Sequence, residues 1–233
     1  RRWRRIGRMV MHKPTIEDRQ RVSNAVHDAE SNTSGEIVTI VADRSDTYQD
    51  IALVYAGLAS LFVPVLFAAW PALPLAMLAH LTSGWGTTEV RDLMLLTFAV
   101  MVIIAVIKFG GLQWEPLRMF FTPRTVRRHR VRRRAIELFK VGAEARTTGS
   151  TGILVYLSLG EHMAEIVADE AVHKKVPDTE WGDAMIALIV EAREGRIADG
   201  MISAVARVGS ILATHLPRAA DDVNELPDRL IEL

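Results

Sequence analysis

The chain has 233 residues, room for one domain with something added, and its 28 basic residues balance 28 acidic ones. No cysteine is present, which excludes disulfides, zinc–thiolate sites, iron–sulfur clusters and thiol catalysis. The neutral total hides segregation: residues 1–14 are basic, a second arginine block lies at 124–134, and the chain from Ala135 onward turns acidic.

The basic start, RRWRRIGRMVMHKPTIED, lacks the apolar region and small-residue cleavage site of a signal peptide. Residues 15–50 then read as a helix and a strand. Thr15 followed by Asp18 is a capping-box pattern, and Ile16, Val22, Val26 and Ala29 recur at roughly helical spacing. SNTSG ends that helix, and EIVTIVAD is a β-branched run of strand length. One helix and one strand cannot bury their own apolar faces, so this piece needs a partner.

Residues 51–113 are of another kind. Ile51 to Ala79 carries no charge, and Leu93 to Leu112 carries only Lys108, close enough to its end to snorkel. Each is long enough to cross a bilayer, and with the short link HLTSGWGTTEVRD they predict a transmembrane hairpin. Pro64, Pro71 and Pro74 predict a kink in the first segment or its end near Trp70; Trp85 is a candidate interfacial anchor. Two buried helices of a soluble protein are the alternative, disfavoured because the rest of the chain is too small to enclose them. Lys and Arg collect on cytoplasmic flanks, so the basic start and the segment 114–134 place both termini in the cytoplasm.

Residues 135–217 continue the soluble pattern. VRRRAIELFKVGAEAR predicts a helix with Val131, Ile136, Phe139 and Ala143 near one stripe, and TTGSTG breaks it. GILVYLSL is apolar almost throughout, as a central strand is. Gly160-Glu161 turns the chain into HMAEIVAD, read as a third strand with a helix as the alternative. After a loop through Pro177, DTEWGDAMIALIVEAR and RIADGMISAVARVGSILATHL predict two helices, the second stopped by Pro217. Residues 218–233 read as a polar, loosely attached tail. Because a hairpin returns the chain to the side it left, EIVTIVAD can pair with GILVYLSL. The expectation is one α/β domain, helices on both faces, interrupted by a membrane hairpin.

AVHDAESNTSGEIVTIVAD, STGILVYLSLGEHMAEIVADEAV and VPDTEWGDAMIALIVEAREGRIADGMISAVARVGSIL, in this order, resemble the TPM domain family. That family is known from thylakoid lumen proteins linked to photosystem repair and from many bacterial membrane proteins. The resemblance implies a TPM-like α/β sandwich and, with the hairpin, a protein of the bacterial inner (cytoplasmic) membrane. It also implies that acidic residues at strand ends hold calcium-type metals or hydrolyse phosphate esters. Here HKPTIED replaces the usual acidic motif before the first helix, and ADEAVHKKVPD replaces a glycine-rich turn.

Asp169, Glu170, His173 and Asp178 form the one cluster with metal-ligand chemistry, and Asp43 joins it if the strands bring it near. Carboxylates of this kind suit Ca2+ or Mg2+ and a metal-activated water; a solvated loop is the plainer reading. Asp169, Asp178 and Asp43 are therefore the candidate metal ligands. HExxH, GxSxG and P-loop motifs are absent from the sequence, and EARTTGSTG is too poor in glycine for a phosphate cradle. Arg124, Arg127, Arg128, Arg130, Arg132, Arg133 and Arg134 suit anionic lipid headgroups beside a membrane span better than nucleic acid. Two functions follow from this reading: an interaction or assembly module with no catalysis of its own, or a metal-dependent phosphatase of TPM type. A carrier or channel component is disfavoured, since one hairpin offers no polar path.

Overall fold

The computed structural model describes residues 14–82, 89–141, 151–218 and 229–233, apart from the side chain of Asp178. Ala143 and Trp85, named above, lie outside the described residues, as does the basic segment up to Lys13. Two compact units form, one from residues 1–46 with 125–233 and the other from residues 47–124.

The first unit is a mixed α/β layer structure. Its strands are β1 (Glu36–Ala42), β2 (Gly152–Ser158), β3 (Met163–Ala168) and β4 (Leu230–Glu232), in the order β3-β2-β1-β4. β1 and β2 run parallel, from Glu36 opposite Gly152 to Ala42 opposite Ser158. All seven residues of each are buried, as central strands covered on both faces must be. One face (Ile37, Val41, Ile153, Val155, Leu157) packs on α1 (Ile16–Glu30), α8 (Trp181–Arg193) and α9 (Ile197–His215). The other (Val38, Ile40, Ala42, Leu154, Tyr156) packs on Val131, Ala135 and Phe139 of α6 (Arg124–Phe139).

Parallel neighbours need a long crossover, and the apolar insert occupies this one. Loop-closure cost grows only logarithmically with length, so extending an obligatory crossover costs little pairing energy.

HMAEIVAD is a strand, as read, and runs antiparallel to β2. Three details differ from the sequence reading. The arginine block is not set apart from the helix that follows it: α6 begins at Arg124, and its arginines from Arg127 onward belong to the α/β unit. The tail is not loose at its end: Leu230, Ile231 and Glu232 pair with Thr39, Ile40 and Val41. A three-residue strand is too short to show a period, and its register is set by pairing along the edge of β1 away from β2. Ile16 does not join the buried stripe; as the first residue of α1 it is 83% exposed.

Thr15 caps α1 as its spacing predicts. Its hydroxyl accepts from the Asp18 N–H at 3.1 Å, and the Asp18 carboxylate accepts from the Thr15 N–H at 3.0 Å. These hydrogen bonds from Thr15, with Arg21 nearby, hold the Asp18 carboxyl below the usual aspartate range. A depressed carboxyl contributes stability that is present above its unfolded value and lost as pH falls through the folded one. Thr15→Ala is expected to cost about 1 kcal/mol at neutral pH. Its urea midpoint, followed from pH 7 down to 3, should fall less steeply than that of the parent.

The second unit contains α2 (Gln49–Ala69), α3 (Ala72–Leu81), α4 (Val90–Gly111) and α5 (Glu115–Phe121). The first apolar helix ends before Trp70, at the boundary its prolines predict. Ala52, Ala56, Ser60, Val63 and Phe67 form its buried stripe, and small residues along such a stripe let two helices approach closely. Ser60 donates its hydroxyl to the carbonyls of Ala56 at 2.9 Å and Met101 at 3.1 Å, tying α2 to α4. Leu58, Leu61, Phe62, Phe98, Ile103 and Val106 point outward.

Among the described residues three helices are long and apolar enough to cross a membrane: α2, α4 and α9. In α9 nine residues, from Ile197 to Leu212, are buried in the α/β unit, so its apolarity is spent on the core. Only 22% and 6% of the most apolar windows of α2 and α4 are buried, which leaves their apolar surfaces for lipid.

Candidate functional site

The strand register separates two of the three expected metal ligands, Asp43 and Asp169. Asp43 follows β1 at the end marked by Ala42 and Ser158, whereas Asp169 follows β3, beside Ile153 and Gly152 at the other end. Six strand residues lie between, about 20 Å at 3.3 Å per residue. Ligand distances near 2–2.6 Å rule out a shared Ca2+ or Mg2+. The expectation missed this because β1 and β2 are parallel but β3, which carries Asp169, runs the opposite way.

Asp169 is 6% exposed, and its carboxylate accepts the Gly152 N–H at 3.2 Å while its own N–H donates to the Gly152 carbonyl at 2.9 Å. It closes the β2–β3 ladder. Glu170 is exposed and pairs with Lys174 at 2.7 Å. Asp178 opens a short 3-10 turn, Asp178–Glu180. No group of three or more metal-ligating side chains occurs among the described residues.

Polar side chains gather at the carboxyl ends of β1 and β2 instead. Glu161, 2% exposed, accepts the Ser45 N–H at 3.1 and 3.3 Å and the Ser158 hydroxyl. Ser45 and Tyr156 hydroxyls share a hydrogen bond at 3.0 Å. Burial, aided by the Glu161 charge, pushes the Tyr156 phenol above the ordinary tyrosine range, so it stays protonated. Asp46 accepts from Arg130 at 2.7 Å and Arg133 at 3.3 Å. A Cβ on Gly160 would meet the Asp43 carbonyl at 3.0 Å, which lets the β2–β3 turn lie against the outgoing chain. The cluster clamps residues 43–46, where the chain leaves the α/β unit, to the sheet and to α6, where it returns. Sequence reading missed it: Glu161 showed only as a turn residue, and the DRSD run gains meaning only when β2 lies beside β1.

The open feature is a cleft of about 740 Å3 along β3. β3 forms one margin of the sheet, with no strand beyond it among the described residues. Arg128, Arg132 and Ile136 of α6 wall one side; Trp181, Met185 and Ile189 of α8 wall the other. Glu165, on the α6 side, lies 3.8 Å from Arg132. Burial raises its carboxyl above the usual range, although Arg132 and Arg128 pull it down.

No family model and no curated protein sequence matches the chain. Among solved structures it is similar to the BA42 protein of the psychrophilic bacterium Bizionia argentinensis, whose structure was determined by NMR. The TM-score is 0.55 at 16% identity, over 96% of this chain and 98% of that one. At that identity the likeness is one of fold.

Proposed function

We propose that the chain is an integral protein of a bacterial inner membrane whose TPM-like α/β unit faces the cytoplasm and serves as an interaction or assembly module. The observation that carries this reading is the exposed margin of β3, set in a cleft between α6 and α8. Unpaired strand edges invite pairing with another chain, and proteins that do not use them cover or blunt them. The separation of Asp43 from Asp169 takes Asp43 away from any site that Asp169 and Asp178 would form in the alternative, a metal-dependent phosphatase.

Anionic headgroups would meet the exposed members of the arginine set, Arg124, Arg128, Arg132 and Arg133. Arg130 is held by Asp46, and its side chain is only 15% exposed.

The test is photo-crosslinking in intact cells, from a benzoylphenylalanine at Ile189 inside the cleft and from one at exposed Arg207 on α9. A discrete adduct from the cleft alone is expected. These 233 residues contain no cysteine, so Glu89→Cys and Ser210→Cys report the side of the membrane. An impermeant maleimide should label Glu89→Cys in spheroplasts and leave Ser210→Cys unlabelled. Adducts at both crosslinking positions or at neither, or labelling of Ser210→Cys, would overturn the reading.

A further inference from the structure

In β3 the Asp169 N–H bonds to Gly152 of β2. Antiparallel ladders alternate, so Met163, Glu165 and Val167 also direct their backbone groups toward β2. The N–H and C=O of Ala164, Ile166 and Ala168 then point away from the sheet, at 3.3–3.4 Å per residue, in the spacing that a further strand needs (about 7 Å per pair).

The two walls of the cleft differ in chemistry. Successive side chains of any added strand point to opposite faces. One set would lie under α6, where Arg128 and Arg132 stand against Glu165; the other carboxylate of the cleft, Glu170, is paired with Lys174, which leaves the α6 wall net positive. The other set would lie against Trp181, Met185 and Ile189, where Ala164 and Ala168 leave room beside Ile166.

Resting on the interaction-module reading, we propose that β3 receives an extended peptide strand of a partner protein in which acidic side chains alternate with apolar ones. Backbone pairing supplies affinity, and the two walls supply specificity. A second copy of this chain fits poorly. Pairing β3 with β3 about a two-fold axis puts both α6 helices on one face of the joined sheet, so Arg128 and Arg132 confront their own symmetry mates. The basic run at residues 1–13 has the wrong charge for the α6 wall.

The probe is a fluorescein-labelled octapeptide of alternating glutamate and valine, titrated by anisotropy against the full chain in detergent micelles. Three controls accompany it: the same composition in two blocks, lysine in place of glutamate, and backbone N-methylation at alternate residues. The alternating peptide is expected to bind at least tenfold more tightly than each control. Arg128→Glu with Arg132→Glu should weaken it at least tenfold and reverse the preference toward the lysine peptide. Ile166→Pro removes an outward N–H at a sheet margin, where proline is tolerated, and should abolish binding; if that variant does not fold, the N-methylated peptide makes the same test. Equal binding of the alternating and block peptides, or no response to charge reversal, would overturn the proposal. An adduct from Ile189 in cells alongside failure of these peptides would sink this partner chemistry and leave the module reading standing. Failure of both would remove both.

Discussion

Glu161→Ala is expected to lower the stability of the α/β unit by about 3 kcal/mol, among the largest effects of any single side-chain truncation outside the apolar core. Its carboxylate is buried and receives the Ser45 N–H and the Ser158 hydroxyl. Hydrogen bonds to a charged group contribute about 1.5–3 kcal/mol each, and a buried donor left without its acceptor costs about 1–3 kcal/mol. Truncation leaves Ser45 held to the sheet only by its hydroxyl bond to Tyr156, loosening the point where the chain leaves the sheet. For a unit of this size 3 kcal/mol corresponds to about 6–12 °C in thermal midpoint. The reporter is Trp181, 6% exposed at the start of α8, read with the other four tryptophans changed to phenylalanine. Ser158→Ala leaves the Ser45 contact intact and should cost about 1.5–2 kcal/mol. A shift below 3 °C for Glu161→Ala would show that the clamp does not hold the exit.

Gly209→Val is expected to be at least as damaging. A Cβ at Gly209 would lie 2.7 Å from the Ala29 Cβ and 3.2 Å from the Ala29 Cα. The neighbour is the body of α1, so relief requires α1 and α9 to separate. Over-packing of this kind costs about 1–3 kcal/mol and sometimes more, and valine adds two methyls beyond the Cβ that already clashes. The diagnostic is a cycle between Gly209→Ala and Ala29→Gly. Each alone should destabilise, the second by about 1 kcal/mol through helix propensity. Together they exchange a methyl across one contact, and a coupling of at least about 1 kcal/mol should appear in urea unfolding. Additive losses would mean that the two helices do not meet as closely as described.

Both predictions rest on contacts that the sequence could announce only in part. Gly209 sits in an apolar helical run, where a glycine suggests close packing but not against what. Glu161 sits in a turn, and turns are polar in general. The Thr15–Asp18 cap is different: both partners lie within one turn, so three residues of spacing sufficed. The β1–β2 pairing was inferable because two predominantly apolar strands of matching length both needed a neighbour. The β4 pairing was not, since three residues carry no periodicity and their partner lies about 190 residues away along the chain.

The sequence by itself determined the properties that composition and local period control. These are the absence of thiol chemistry, two apolar segments long enough to cross a bilayer, one charge-free and one carrying only Lys108, the capped first helix, and the two central strands. Hydropathy over twenty residues and spacing within one helical turn are local quantities. Tertiary structure alone decided where the carboxylates went. Asp43 and Asp169 each follow a strand, but the direction of β3 sends them to opposite ends of the sheet, while Glu161 comes to Ser45 across the β2–β3 turn. It also decided that α9, as apolar as a membrane span, is a core helix, and that β3 rather than β1 is left at a margin. Strand order and direction are non-local: they follow from which apolar faces can be covered at once, and no stretch of sequence carries that alone.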